Sequence, residues 1–239
     1  MRKRRALAQL VLDRFRLTVP GRPPTKSQRK LIEGWVVDCA YHEAAHAVVA
    51  AHMAQVFAEE IFLDYSPGGA PGTIREPLIY PQLLEAKKMR KLQPYFRDEY
   101  RRAAELDALI RLAGPMSDGL RNEESVDDVL DRLEGELVEA SNGSPLEDVS
   151  DLGLTLKTLR AFEHWDGPAR DRIPLLAARA RKILQRPKIA STVAAVAEAL
   201  LDEAHLGEKR VYELLKNVPV ASATRVPKAK TKQTKQQRR

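Results

Sequence analysis

From residue 31 to about residue 57 the chain contains no proline and is rich in alanine and valine, with a single glycine, Gly34, near the start. Alanine enters a helix at the least cost, and nothing in this run interrupts one, so the segment reads as one long, largely buried helix. It constrains chemistry as well as fold. The stretch YHEAAHAVVAAH, residues 41–52, sets two histidines and a glutamate among Ala40, Ala44, Ala45, Ala47, Val48, Val49 and Ala50. Polar groups in such surroundings are costly unless something meets them.

On a helix, positions i and i+4 project from nearly the same side, so His42 and His46 can present two imidazole nitrogens to one ion. Glu43 is rotated about 100° from His42, beside such an ion, where a carboxylate can take a proton from water. Zinc suits this arrangement: with three protein ligands it lowers the pKa of its water to about 7 and polarises a carbonyl. The expected chemistry is therefore amide hydrolysis with Glu43 as general base. The competing reading is a buried helix whose histidines are satisfied by backbone or carboxylates.

A third ligand must come from elsewhere, and several residues compete. His52 lies six residues past His46, the spacing of HExxHxxGxxH proteases, but Val49 stands where those need a turn-forming glycine. If the helix continues, His52 faces away. Cys39 is on the correct face, although a lone helical cysteine usually packs as a small hydrophobe. Glu59 and Glu60 offer carboxylates just past the helix.

Further along, IFLDY and TIREPLIY flank a Gly/Pro-rich connector, the pattern of a small β-ribbon with a wide turn. Helices are expected over 83–113, 124–140, DLGLTLKTLRAFEHW (151–165) with Asp148 or Ser150 as N-cap, 172–185, 188–205 and EKRVYELLK. The fold class is thus mainly α, a helical array with a small β-ribbon. GRPPTKSQ, residues 21–28, separates a basic N-terminal extension (1–28) from a domain expected over 29–217, and the tail 218–239 lacks apolar residues to bury and is expected to be disordered.

The net charge of +7 is unevenly spread. Residues 1–30 carry a net +9 and residues 225–239 carry +7, which leaves −9 for the body between them. Basic ends of this kind could hold nucleic acid through phosphate contacts, yet no recognition motif or interleaved aromatic accompanies them, and solvated tails are the plainer reading. One cysteine excludes an internal disulfide framework and points to a reducing, cytoplasmic setting. The apolar run after MRKRR is broken by Asp13 and Arg14, which argues against export. Its Arg-rich, acid-poor character also fits an organelle transit peptide, without the serine enrichment. No run approaches the ~20 apolar residues of a membrane span.

YHEAAHAVVA resembles the HEAGHAVVA motif in the peptidase domain of FtsH-type ATP-dependent zinc metalloproteases, with Ala45 in place of the usual glycine. The likeness continues, in the family's order, through IFLDYSPGGAPGTIREP, LIRLAGPMSDGL, SDLGLTLKTLR and the closing stretch 180–215. SDLGLTLKTLR is similar to the family's NDLxxAT segment, whose aspartate is the third zinc ligand. The resemblance therefore implies a metal set of His42, His46 and Asp151, with Asp148 in reserve. Where the family has paired acids after LLGGRA, this chain has Asp118 and Gly119, leaving Asp118 as a candidate for orienting a zinc histidine. No GxxxxGK[ST] loop occurs in the 239 residues, so ATP hydrolysis is not expected of them.

The expectation from these readings is a zinc metalloendopeptidase that cuts unfolded or flexible polypeptides, aided by a separate ATPase or by self-association if it needs either. The alternative is a catalytically silent protein of the same fold that binds or regulates, attached to nucleic acid through its basic ends.

Overall fold

The computed structural model of the protein describes residues 25–63, 73–75, 94–141 and 150–221. The first helix, α1 (Lys26–Ala54), is the one expected from the proline-free run, though displaced toward the N-terminus. It ends at Ala54 rather than near Phe57 because Gln55 adopts a left-handed φ of 56° and turns its N–H back to the Ala51 carbonyl, 3.2 Å away. Every residue from Glu43 to His52 is buried. That is more than two turns, so the helix is covered on all faces. Alanines at 44, 45, 47, 50 and 51 keep its surface thin and let neighbouring helices come close.

After α1 the chain forms β1 (Glu60–Phe62) and β2 (Thr73–Arg75), the antiparallel ribbon expected from sequence. The connector between them, including Gly68, lies outside the described residues. The helices α2 (Pro94–Arg121) and α3 (Val126–Ser141) follow. Residues 83–93 of the helix expected over 83–113 lie outside the described residues, and the remainder continues through Gly114 and Pro115 to Arg121. A proline inside a helix removes one backbone hydrogen bond, and here the burial of Ala113 and Met116 on either side outweighs that loss. At the start of α3, Ser125 and Asp128 cap reciprocally: the Asp128 N–H donates to Ser125 Oγ at 3.1 Å, and the Ser125 N–H donates to Asp128 Oδ2 at 2.9 Å.

Ser150 then caps α4 (Asp151–Arg160), its Oγ accepting from the Gly153 N–H at 3.1 Å. Of the two caps expected from sequence, Ser150 is the one used, and Asp148 lies outside the described residues. The helix expected to run on through Trp165 stops at Ala161, and a single turn, α5 (Glu163–Asp166), follows it. Then come α6 (Ala169–Leu184) and α7 (Pro187–Glu203), the latter opened by Pro187 and closed by Ala204 at a φ of 60°. The chain closes with β3 (His205–Gly207) and α8 (Glu208–Leu215).

The sheet order is β2-β1-β3, both pairings antiparallel, with Ile61 opposite both Ile74 and Leu206. The third strand extends the expected ribbon. It is only three residues long and comes from about 145 positions downstream, so periodicity carries no trace of it. Helix α2 lies at the centre, in contact with α1, α4 and α6, while α1 also packs on α7. Packing reaches past residue 217: Val218 is buried, and the Ala221 N–H donates to the His52 carbonyl at 2.8 Å. No helix among the described residues is long and apolar enough to cross a membrane.

Candidate metal centre

His42 and His46 lie one turn apart on α1, where it crosses the central helix α2. Their rings meet nearly edge-on, with centroids 4.8 Å apart and planes at 78°. Each ring is held from behind by a residue of α2. His46 Nδ1 donates to the Ile110 carbonyl at 2.7 Å, and His42 Nδ1 donates to Asp118 Oδ2 at 2.7 Å. A carbonyl oxygen can only accept, so a proton sits on His46 Nδ1, and the neutral ring then carries its lone pair on Nε2. The carboxylate of Asp118 imposes the same choice on His42.

Both free nitrogens converge on Asp151. This residue opens α4 under the Ser150 cap, so its carboxylate is delivered to the site by a helix start rather than by a loose loop. Asp151 Oδ2 lies 3.0 Å from His42 Nε2 and 3.3 Å from His46 Nε2. The three groups offer ligand atoms all within 4.8 Å of one another. Two ligands of a tetrahedral zinc, each about 2.0–2.1 Å from the ion, stand roughly 3.3 Å apart, so the nitrogen-to-oxygen spacings fit such an ion. The donor set, two imidazoles and one carboxylate, could hold a metal ion.

The electrostatics point the same way. Two imidazoles are surrounded by the carboxylates of Glu43, Asp118 and Asp151, and Asp118 Oδ1 is buried without a hydrogen-bond partner. An orphaned buried carboxylate oxygen marks negative charge in excess of what the protein itself compensates, which a divalent cation relieves. In the protein alone, burial pushes both imidazoles toward neutrality, yet the neighbouring carboxylates prevail. Asp118 with Asp151 holds His42 well above the ordinary histidine range, and Asp151 holds His46 above it. Burial likewise pushes Asp151 up, and the attraction of His46 together with hydrogen bonds to both rings overcomes this and keeps its carboxyl below the usual range.

Glu43 is 8% exposed, and its burial raises its carboxyl above the ordinary value against the pull of His46 and His42. A carboxylate shifted upward in this way is a better proton acceptor near neutrality than a solvated one.

The other sequence candidates are placed elsewhere. His52 is buried on the far side of α1. It donates from Nδ1 to the Pro219 carbonyl and accepts at Nε2 from Arg186 Nη1 at 3.0 Å, so it ties the C-terminal segment to the helix. Cys39 is buried, and burial with the nearby Asp118 and Glu43 carboxylates pushes its thiol far up, away from the thiolate a metal needs. Glu60 pairs with His205 across the sheet at 3.1 Å, and Glu59 is exposed. Two parts of the site lie in LIRLAGPMSDGL but were given no role from sequence: the Ile110 carbonyl and Gly114, which faces both Nε2 atoms. The spacing of Ile110, Gly114 and Asp118, four residues apart each time, is the signal that places them on one stripe of α2.

Replacing Asp118 by Asn should weaken zinc binding by about 10–100-fold, because an amide orients the His42 ring less firmly and contributes no charge. Competition with a chromogenic chelator measures this, and an unchanged affinity would remove Asp118 from the centre.

No family model matches this chain, and no curated protein matches it either.

Proposed function

We propose that the protein is a zinc metalloendopeptidase acting on unfolded or flexible polypeptides, with a peptidase domain of the FtsH type. The observation that carries this reading is the convergence of Asp151 Oδ2 on the Nε2 atoms of His42 and His46, with Glu43 following His42 directly in the sequence. His42, His46 and Asp151 would hold the ion. Zinc bound there supplies a water whose pKa falls to about 7 and a positive charge against the scissile carbonyl.

The remaining work belongs to the chain. Glu43 takes the proton of the attacking water and then delivers it to the departing amine, so that one carboxylate serves as base and then as acid. Asp118 and the Ile110 carbonyl keep the two rings in the tautomer and orientation that leave Nε2 free. Strand β2 is at an edge of the sheet and lies against α1, the helix that carries both histidines. An extended peptide that pairs with this edge would have its backbone straightened, which favours substrates already unfolded.

The reading is tested with casein as a disordered substrate and metal analysis of the same preparation. Cleavage should disappear on treatment with a chelator and return when zinc is restored. Stoichiometric zinc without cleavage of casein or any other disordered chain would instead favour a catalytically silent binding protein. Absence of zinc from a folded preparation that has been offered the metal would end both.

A further inference from the structure

Three positions of α2 at four-residue intervals face the histidines: Ile110, Gly114 and Asp118. The outer two fix the backs of the rings. The middle one meets their metal-facing edges. A Cβ built on Gly114 would stand 2.5 Å from His42 Nε2 and 2.7 Å from His42 Cδ2, and closer still to His46 Nε2. Carbon does not approach nitrogen to such distances without bonding, since non-bonded contacts begin near 3.5 Å. Any side chain at 114 therefore collides with both imidazoles at Nε2, the atoms through which they would hold an ion.

Elsewhere a clash with the end of a side chain is relieved by a small rotation. Here it is not, because each ring is already pinned at Nδ1, His46 by the Ile110 carbonyl and His42 by Asp118. Turning the rings away from a new methyl group breaks those hydrogen bonds and separates the nitrogens from Asp151. Keeping the rings in place requires α2 to move off α1, against which it packs closely.

We infer that Gly114 is a positioning residue of the metal centre: its missing side chain leaves the volume in which His42, His46 and Asp151 share a cation, and any larger residue there excludes the ion while leaving its ligands in the chain. The inference rests on the metal-centre reading. It goes beyond that reading by assigning metal occupancy to a residue with no ligand atom. It also accounts for a glycine in mid-helix, followed by Pro115, where local propensity favours neither residue.

The experiment compares zinc content, zinc affinity and far-ultraviolet circular dichroism of the full chain with those of Gly114→Ala and Gly34→Ala. Gly34 is a second helical glycine, on α1, whose added Cβ would meet nothing within 4 Å. Gly34→Ala should bind zinc as the wild type does. Gly114→Ala should keep its helical spectrum and lose zinc affinity by at least about a hundredfold, more than the loss of an outer-shell partner usually brings. Wild-type affinity in a folded Gly114→Ala protein overturns the inference and leaves the metal centre standing. Failure of the wild type to bind zinc removes the metal-centre reading itself.

Should Gly114→Ala not fold, the cause assigned here is collision with the two imidazoles. Folding should then return in the triple variant His42→Ala, His46→Ala, Gly114→Ala, compared with the double histidine variant. A triple variant that stays unfolded while the double variant folds would show that Gly114 serves helix packing and not the centre.

Discussion

Replacing Glu43 by Gln is expected to leave zinc bound at the wild-type ratio and to lower casein cleavage by about a thousandfold, within the 10²–10⁴ range of general acid–base catalysis. The two side chains have nearly the same shape, so the packing around this buried position is kept. What changes is the ability to hold a proton. The amide cannot accept one from water at neutral pH, and it cannot pass one to the departing amine. A thousandfold loss corresponds to about 4 kcal/mol of transition-state stabilisation. Zinc retention is the necessary companion measurement, because a variant that lost both metal and activity would say nothing about the role of Glu43. Undiminished cleavage with zinc in place would take catalysis away from this residue.

Truncation of Asp151 to Ala acts at the other end of the site. Structural zinc sites with four protein ligands bind with about 10–16 kcal/mol, so a single ligand is worth roughly 2.5–4 kcal/mol, and its loss should weaken zinc binding by on the order of a hundredfold to a thousandfold. The variant should also be inactive on casein at zinc concentrations that saturate the wild type. Because the imidazoles of His42 and His46 are held above their usual range in the metal-free protein, the ion must displace protons to enter. Zinc affinity of the wild type should therefore fall as pH drops through those raised values. Equal zinc affinity in Asp151→Ala and wild type would mean that another group completes the set, with Asp148 the residue held in reserve.

Local physics made much of the architecture readable. The uninterrupted alanine-rich run announced α1, turn chemistry at Ser150 announced the start of α4, and spacing alone put His42 and His46 on one face. The errors came where neighbours overrode propensity. Gly114 and Pro115 look like a stop signal, yet α2 passes through them because its flanks are buried. The sheet gained a third strand, β3, because its partner β1 is remote in sequence and three residues show no alternation.

His52 illustrates the division most sharply. By composition it belonged to the same cluster of histidines, and helical geometry turned it away from His46. Only the fold supplied its partners, the Pro219 carbonyl and Arg186. Asp151 is the reverse case: at a helix start an acid is favoured by the helix dipole whatever else it does, and only a motif resemblance suggested a ligand.

The chain alone determined which groups stand one turn apart, because an α-helix has a fixed repeat and propensity acts over a few residues. Tertiary structure decided which distant groups meet them. Ile110, Gly114, Asp118 and Asp151 reach the two rings through the packing of α2 and α4 on α1, and contacts spanning 64 to 109 positions leave no periodic trace in sequence.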